Sequence, residues 1–242
     1  MKIKEALSKK PFSIVGHRGA KGVKPENTLS AIEYAIETGV DIVEVDVRKT
    51  KDNQLILFHD PDFKRLTGKT VKLLDLTLEE IKSSITIDGE PVATLEEAIQ
   101  MINGKTGLFV EIKEPETVND VLALITKYKA VDWTAVISFY DEALISAKNL
   151  LPSIATGLIY MKPPGRIFDA KKIGADFVLP YYKIATEKAN AVAHRLGLKV
   201  VVWTVNDEET AQEMLKRKVD AMATDYPEIL VNLRKKLLEK NV

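Results

Sequence analysis

The stretch Ile42-Val43-Glu44-Val45-Asp46-Val47-Arg48-Lys49-Thr50-Lys51-Asp52-Asn53-Gln54-Leu55-Ile56-Leu57-Phe58-His59 decides how the chain folds. Two runs rich in β-branched and apolar residues flank a short polar link, and both read as strands. A parallel crossover needs roughly a dozen residues or more. Arg48 to Gln54 is too short for one, so the two runs are expected to pair antiparallel as a hairpin. Asp52-Asn53 fits the turn, because both residue types tolerate the left-handed backbone a tight turn demands.

Working outward, further strand candidates are Ser13 to His17, Gly107 to Lys113, Thr134 to Phe139, Ile154 to Tyr160, Phe177 to Tyr182, Lys199 to Val205 and Asp220 to Thr224. Between them lie helical patterns at Leu29 to Glu37, Leu95 to Ile102, Val118 to Lys127, Glu187 to Leu196 and Glu208 to Lys216, with apolar residues near 3.6 spacing. Thr28, Thr94, Thr117, Asp141, Thr186 and Asp207 are placed as N-caps. Alternation of this kind is the mark of βα units around a parallel sheet. With Leu55 to His59 set aside as a hairpin partner, the parallel strands reach the barrel number. The expected fold is α/β, a (β/α)8 TIM barrel; a distorted barrel that incorporates the hairpin strand is the alternative. One departure breaks the alternation: Asp60 to Val92 holds Leu66-Thr67-Gly68, a Leu76 to Ser83 helix and an Asp88-Gly89 turn. We read residues 1–242 as a single barrel domain, with residues 60–92 a short insertion following the second and third strands.

With 242 residues, 45% of them hydrophobic, the chain can bury a sizeable core and matches the usual length of one such barrel. Thirty-five basic and 35 acidic residues cancel, so the basic excess of a nucleic-acid binder is missing. The absence of cysteine excludes disulfides, thiolate metal sites and cysteine nucleophiles. The lysine-containing start, Met1 to Lys10, leads into no apolar signal core, and no run of about 18 apolar residues occurs. These features suggest a cytoplasmic protein without an integral membrane segment. The basic, leucine-containing tail from Val231 to Val242 reads as a solvated terminal helix, with a membrane-surface helix as the alternative.

Charged residues alternating on apolar strands carry the chemistry, since an inward charge is costly unless paired or metal-bound. Glu44 and Asp46 stand two apart and share a strand face, and Glu111 and Lys113 repeat the spacing. Three carboxylates without a thiol favour a hard divalent cation, Mg2+ or Ca2+, although such acids also occur as partners of barrel lysines. Two of the three histidines, His17 and His59, fall at strand carboxyl ends, where barrel enzymes gather their reactive groups. One can take a proton while the other gives one, a division worth about 10² to 10⁴-fold in rate. Arg18 and Lys113 are placed to clamp phosphoryl oxygen. Three carboxylates, a divalent ion and two cations sum to about plus one, which suits a phosphodiester monoanion. Trp203 is assigned to a pocket wall against the organic part of a substrate, or else to the core. His194, inside a helix, is given no role.

Taken together these residues resemble the glycerophosphodiester phosphodiesterase family, whose barrels are similar to the phosphatidylinositol-cleaving phospholipases. The resemblance runs from His17-Arg18-Gly19 through Pro25-Glu26-Asn27-Thr28, Glu44-x-Asp46-Val47, Thr50-x-Asp52 and His59-Asp60. It continues through Arg65-Leu66-Thr67-Gly68, Leu76-Thr77-Leu78-Glu79-Glu80, Thr94-Leu95-Glu96-Glu97 and Glu111-Ile112-Lys113, then Ser138-Phe139, Trp203-Thr204-Val205-Asn206 and Thr224-Asp225-Tyr226-Pro227. Asn53 replaces the family's usual glycine, which a turn tolerates. The resemblance implies metal-dependent hydrolysis of deacylated phospholipid head groups to glycerol 3-phosphate and an alcohol, a reaction of glycerol and lipid metabolism. It implies Glu44, Asp46 and Glu111 as metal ligands, His17 and His59 as base and acid, and Arg18 and Lys113 on the phosphate. A cyclic phosphate formed by the neighbouring glycerol 2-hydroxyl is a further implication.

Three other readings stay open. Lys113 beside Glu111 suits a Schiff-base lysine, but that leaves the other polar residues without work. A barrel that binds a phosphodiester without turning it over is a second. The third is a phosphodiesterase directed at lysophospholipids, which a greasy rim at the mouth would favour. No such rim is evident in the short insertion, although Phe58, Phe63, Tyr140, Tyr160, Tyr181 and Tyr182 are candidates for one.

Overall fold

A computed structural model of the chain describes residues 2–240. Its strands are β1 (Ser13–Gly16), β2 (Ile42–Lys49), β3 (Leu55–Leu57), β4 (Thr86–Ile87), β5 (Glu90–Pro91), β6 (Gly107–Ile112), β7 (Thr134–Ser138), β8 (Ala155–Tyr160), β9 (Phe177–Pro180), β10 (Lys199–Val202) and β11 (Ala221–Thr224). Eight of them run parallel in the order β1-β2-β6-β7-β8-β9-β10-β11, and β11 pairs with β1 to close the barrel. The deciding stretch behaves as its short link requires. β3 pairs antiparallel with β2, Val47 opposite Leu57 and Lys49 opposite Leu55, and Asn53 takes the left-handed turn at φ 59°. β3 therefore lies outside the closed parallel ring.

The inside and outside of the barrel follow from strand alternation. On β2, Val43, Val45 and Val47 pack outward in the large shell beneath the helices. Ile42 points inward to a second cluster with Val15, Phe109, Ile137, Ile159, Phe177, Leu179 and Val201. Every residue of β1, β6, β7, β8, β9 and β11 is buried, as expected for strands covered on both faces. Two inward rings, Phe109 and Phe177, stack at 5.1 Å and fill the axis. Gly157 makes room for them, since a Cβ there would stand 2.2 Å from the Phe177 ring. Ile3, Ala6 and Leu7 join this inner cluster, so the first helical turn closes the amino end of the barrel.

The five expected helices form, within two residues of their predicted ends. Thr28, Thr94, Thr186 and Asp207 accept capping hydrogen bonds. The other two assigned caps make no such bond, and the one at Asp141 needs correction. Asp141 is the first helical residue, Tyr140 holds the cap position, and the Asp141 carboxylate pairs with Arg166 at 2.6 Å instead. Thr117 ends a 3-10 turn and does hold the cap position, but its hydroxyl donates to the Glu114 carbonyl and makes no capping bond.

Residues 60–92 hold short helices at Lys64–Thr67 and Leu78–Ser84 and the small β4–β5 hairpin, which turns at Asp88-Gly89. Phe58 and Phe63 meet edge to face at 4.9 Å in a separate apolar cluster with Ile56, Leu73, Ile81 and Val92. The terminal helix, Pro227–Glu239, buries Leu230, Val231 and Leu233 against the barrel, and its Arg234 pairs with Asp41. Its apolar stripe is thus committed to the core; Asn241 and Val242, the end of the basic tail, lie outside the described residues. Among the described residues no helix is long and apolar enough to cross a membrane.

Candidate active site

The first strand hands over to the site through a strained turn. After Gly16 the chain bends at once, and Arg18 takes the left-handed conformation at φ 50°. Gly19 follows at φ 78°, where a Cβ would meet the Ala31 backbone at 2.6 Å, so only glycine fits. The turn is fastened to β2: the Arg18 amide donates to Glu44 Oε2 at 2.8 Å and the Gly19 amide to the Glu44 carbonyl at 3.1 Å. A non-glycine residue held at positive φ costs about 1 to 3 kcal/mol and tends to mark a functional site. His17, His59 and Lys113 lie one or two residues beyond β1, β3 and β6, not on the strands as the sequence suggested. Trp203 likewise lies one residue past β10.

Glu44 and Asp46 do share the inward face of β2, and the register sets Asp46 beside Glu111 on β6. Ligand oxygens of the three carboxylates all lie within 4.8 Å of one another, and all three residues are buried. Asp46 is well partnered, by Arg18 Nε at 3.0 Å, Lys113 Nζ at 2.8 Å and the Asn27 amide at 2.9 Å. Lys113 also pairs with Glu111. Glu44 Oε1 and Asp46 Oδ1 are both buried without a hydrogen-bond partner among the described residues, but Asp46 Oδ1 faces the Lys113 ammonium at 2.8 Å whereas Glu44 Oε1 has no ion pair there.

The electrostatics follow this unequal sharing. Burial, then repulsion from Asp46 and Glu111, pushes the Glu44 carboxyl well above the usual range. Glu111 is pushed up to about 7, by burial and by Asp46, in spite of Lys113. For Asp46 burial acts upward too, but Lys113, Arg18 and His59 outweigh it and hold the carboxyl below its ordinary value. An all-oxygen set with an orphaned buried oxygen and excess negative charge fits a hard divalent cation. Glu44, Asp46 and Glu111 could hold one.

The two histidines are built alike. Asp225 accepts from Nδ1 of His17 at 2.6 Å and Asp60 from Nδ1 of His59 at 2.6 Å. A carboxylate on Nδ1 selects the tautomer that leaves Nε2 free as an acceptor. Nε2 of His17 lies 4.0 Å from Glu44. Asp225 is braced by the Asn206 side-chain amide at 2.8 Å. Burial lowers the His59 pKa; Lys113 and Arg18 lower it further, against the opposing pull of Asp46.

His17, Arg18, Glu44, His59, Glu111, Lys113 and Trp203 line one cavity of about 390 Å³ at the carboxyl end of the barrel, with fully buried Asp46 beneath. All eight residues singled out in the sequence are thus brought together. His194 is not among them: it is exposed and pairs with Asp220 at 2.8 Å, beside the starts of β10 and β11. The rest of the cavity corrects the expectation about a greasy surface. Phe109, Ile137, Phe139, Ile159, Leu179 and Val201 line it, and half-exposed Met161 stands at its edge. This apolar wall comes from the barrel's own strands, whereas Phe58, Phe63 and Tyr160 are buried elsewhere. Trp203 closes it, its indole N–H donating to the Leu179 carbonyl at 2.8 Å and its ring meeting Phe139 and Tyr181 edge on.

Sequence reasoning assigned no role to the supports Glu26, Asn27, Asp60, Asn206 and Asp225. Asp60 was signalled by its adjacency to His59. Asp225 stands 208 residues from His17, and no local pattern could join them.

A closed parallel barrel whose carboxyl mouth joins an acid triad, two cations and two aspartate-backed histidines defines a (β/α)8 hydrolase of phosphoric diesters. Residues 17–229 match the glycerophosphoryl diester phosphodiesterase family, and the chain belongs to it. It is 31% identical to a glycerophosphodiester phosphodiesterase of Caldanaerobacter subterraneus subsp. tengcongensis, covering 92% of this chain and 98% of that one. The crystal structure of a glycerophosphodiester phosphodiesterase from Thermotoga maritima superposes with a TM-score of 0.82 at 29% identity, covering 93% of this chain and 100% of the other. An Oleispira antarctica phosphodiesterase in complex with the product sn-glycerol-3-phosphate matches with a TM-score of 0.83 at 26% identity, over 91% and 96% of the two chains.

Proposed function

We propose that the protein cleaves small glycerophosphodiesters, glycerophosphocholine and glycerophosphoethanolamine for example, to glycerol 3-phosphate and an alcohol in a reaction that needs one divalent cation, Mg2+ or Ca2+. The observation that carries this reading is the convergence of two histidines, each with Nδ1 held by an aspartate, on a cavity floored by a carboxylate triad with an unpartnered buried oxygen. The product held by the Oleispira antarctica relative supports glycerol 3-phosphate as the retained half.

Arg18 and Lys113 orient the phosphoryl group. Arg18 bonds Glu26 through Nη1 and forms an ion pair with Asp46 through Nε, so neither contact engages Nη2. A cation held by Glu44, Asp46 and Glu111 would supply further positive charge against the phosphoryl oxygens. His17 takes the proton of the glycerol 2-hydroxyl through Nε2 as that oxygen attacks phosphorus. His59 gives a proton to the departing alcohol oxygen, and a cyclic phosphate results. Water then opens the ring with the proton transfers reversed. Burial, Lys113 and Arg18 lower the His59 pKa in the free protein against Asp46 and Asp60; a bound phosphodiester anion offsets those two cations and favours the protonated acid.

The test is release of glycerol 3-phosphate from both diesters, with and without EDTA, beside His17→Ala. Release that requires metal and His17 supports the reaction class; no release with any added divalent ion overturns it. An analogue without the 2-hydroxyl should be inert, and full-rate turnover of it would exclude the cyclic step. The apolar wall from Phe109 to Trp203 favours a second reading, in which lysophospholipids are also cleaved, with hydrocarbon seated on that wall.

A further inference from the structure

The Arg65-Leu66-Thr67-Gly68 motif has so far no part in the chemistry. Arg65 sits on the short helix Lys64–Thr67 of the 60–92 segment, its side chain 44% exposed. Its guanidinium grips two carboxylates at once. Nη1 and Nη2 donate to the two oxygens of Glu26 at 3.0 and 2.6 Å, and Nε donates to Asp60 Oδ2 at 2.5 Å. Each carboxylate has a second duty. Glu26, nearly buried, uses Oε1 to hold Arg18 Nη1 at 2.7 Å. Asp60 uses its other oxygen, Oδ1, to hold Nδ1 of His59 at 2.6 Å.

We propose that Arg65 is a positioning residue that fixes the phosphate-binding Arg18 and the acid His59 relative to each other, by clamping the carboxylate behind each. Arg18 and His59 come from different loops, after β1 and after β3, and no direct bond joins them. Arg65 supplies the tie in a planar, three-bond form that only a guanidinium offers; lysine is a point charge and cannot serve both carboxylates in this geometry. Removing Arg65 leaves Asp60 free to swing with the His59 ring, and leaves Glu26 to draw Arg18 toward itself. Substrate still enters the cavity, because Arg65 is not among the residues lining it. The defect therefore falls on turnover more than on binding, and the 60–92 segment gains a task in the reaction beyond covering β3.

The proposal rests on the roles given above to Arg18 and His59. It is tested with Arg65→Gln and Arg65→Lys on whichever glycerophosphodiester the wild-type protein turns over. Failure of the functional reading shows as an inactive wild type, and failure of the present inference as wild-type kinetics in the variants. We expect a 10 to 100-fold fall in kcat for Arg65→Gln with KM changed less than about threefold, in line with losses of partners that orient reactive groups. Arg65→Lys should lie between, and added guanidinium should restore part of the Arg65→Gln rate. The His59 Nδ1–H proton resonance, assigned by its loss in His59→Asn, should broaden or shift upfield in Arg65→Gln. If Arg65→Gln is destabilised, Arg65→Lys and the guanidinium response still decide. Unchanged kcat in a folded Arg65→Gln, an unmoved His59 resonance or no response to guanidinium in a slowed variant would each overturn the assignment.

Discussion

The cavity has two unlike halves. On the side of β1, β2, β3 and β6 stand His17, Arg18, Glu44, His59, Glu111 and Lys113, with Asp46 beneath them paired to both Arg18 and Lys113 and Lys113 paired also to Glu111. On the side of β7 to β10 the wall is Ile137, Phe139, Ile159, Leu179, Val201 and Trp203. The difference teaches how a barrel carries buried charge. Charges are tolerated where neighbouring strands and loops supply counter-charges within bonding distance. The hydrocarbon opposite lowers the local dielectric, so each remaining electrostatic contact to a bound anion weighs more.

The sharpest way to break the charged half is Glu111→Gln, which keeps shape and removes one carboxylate from the triad. A cation held there would supply several kcal/mol of transition-state stabilisation, so its loss should lower kcat about 10³-fold or more. Metal titration followed by calorimetry should show weakened binding, and unchanged metal affinity with unchanged rate would dissociate the triad from catalysis.

Asp225→Asn is the next largest. It leaves His17 in place but replaces the acceptor behind Nδ1, and should lower kcat about 10 to 100-fold with little change in melting temperature. A wild-type rate would mean that Asp225 is a structural partner of Asn206 and no more.

The apolar half is probed by Ile159→Ala. Turnover of glycerophosphocholine should be unaffected, while kcat/KM for a lysophospholipid should fall about tenfold, the scale of a few lost methylene contacts. Equal effects on both substrates would deny the wall a role in recognising hydrocarbon.

The smallest effect lies far from the cavity, at Asp220. Burial would raise this carboxyl, but Lys199, the Val200 amide and His194 hold it below the ordinary value. A depressed carboxylate stabilises the fold above its unfolded pKa, and that contribution is lost as pH falls through the folded one. Asp220→Asn should cost about 1 kcal/mol at pH 7 after solvent screening, a melting shift of about 2 to 4 °C. The gap to wild type should close below about pH 4; a gap independent of pH would point to lost packing instead.

The charged half was legible in the sequence because strand alternation is a local rule. Acids at Glu44 and Asp46 on an apolar strand declare their face, and His17 and His59 stand out by rarity. The apolar half was not, since an inward Ile159 or Leu179 at the mouth is indistinguishable from one packed in the core. The greasy surface was sought in the insertion, where Phe58 and Phe63 prove to fill their own small core. The cap placed at Asp141 failed for a comparable reason: a distant partner, Arg166, claims its carboxylate.

By itself the sequence determined the barrel, because strand length, the 3.6 spacing of helices and the too-short link from Arg48 to Gln54 are all local constraints on the chain. Only the tertiary structure decided what supports the site. Asp225 behind His17, Arg65 across Glu26 and Asp60, and the unpartnered oxygen of Glu44 arise where strands and loops from separate βα units meet. Such contacts depend on ring closure, which brings residue 225 against residue 17, and no spacing along the chain encodes that distance.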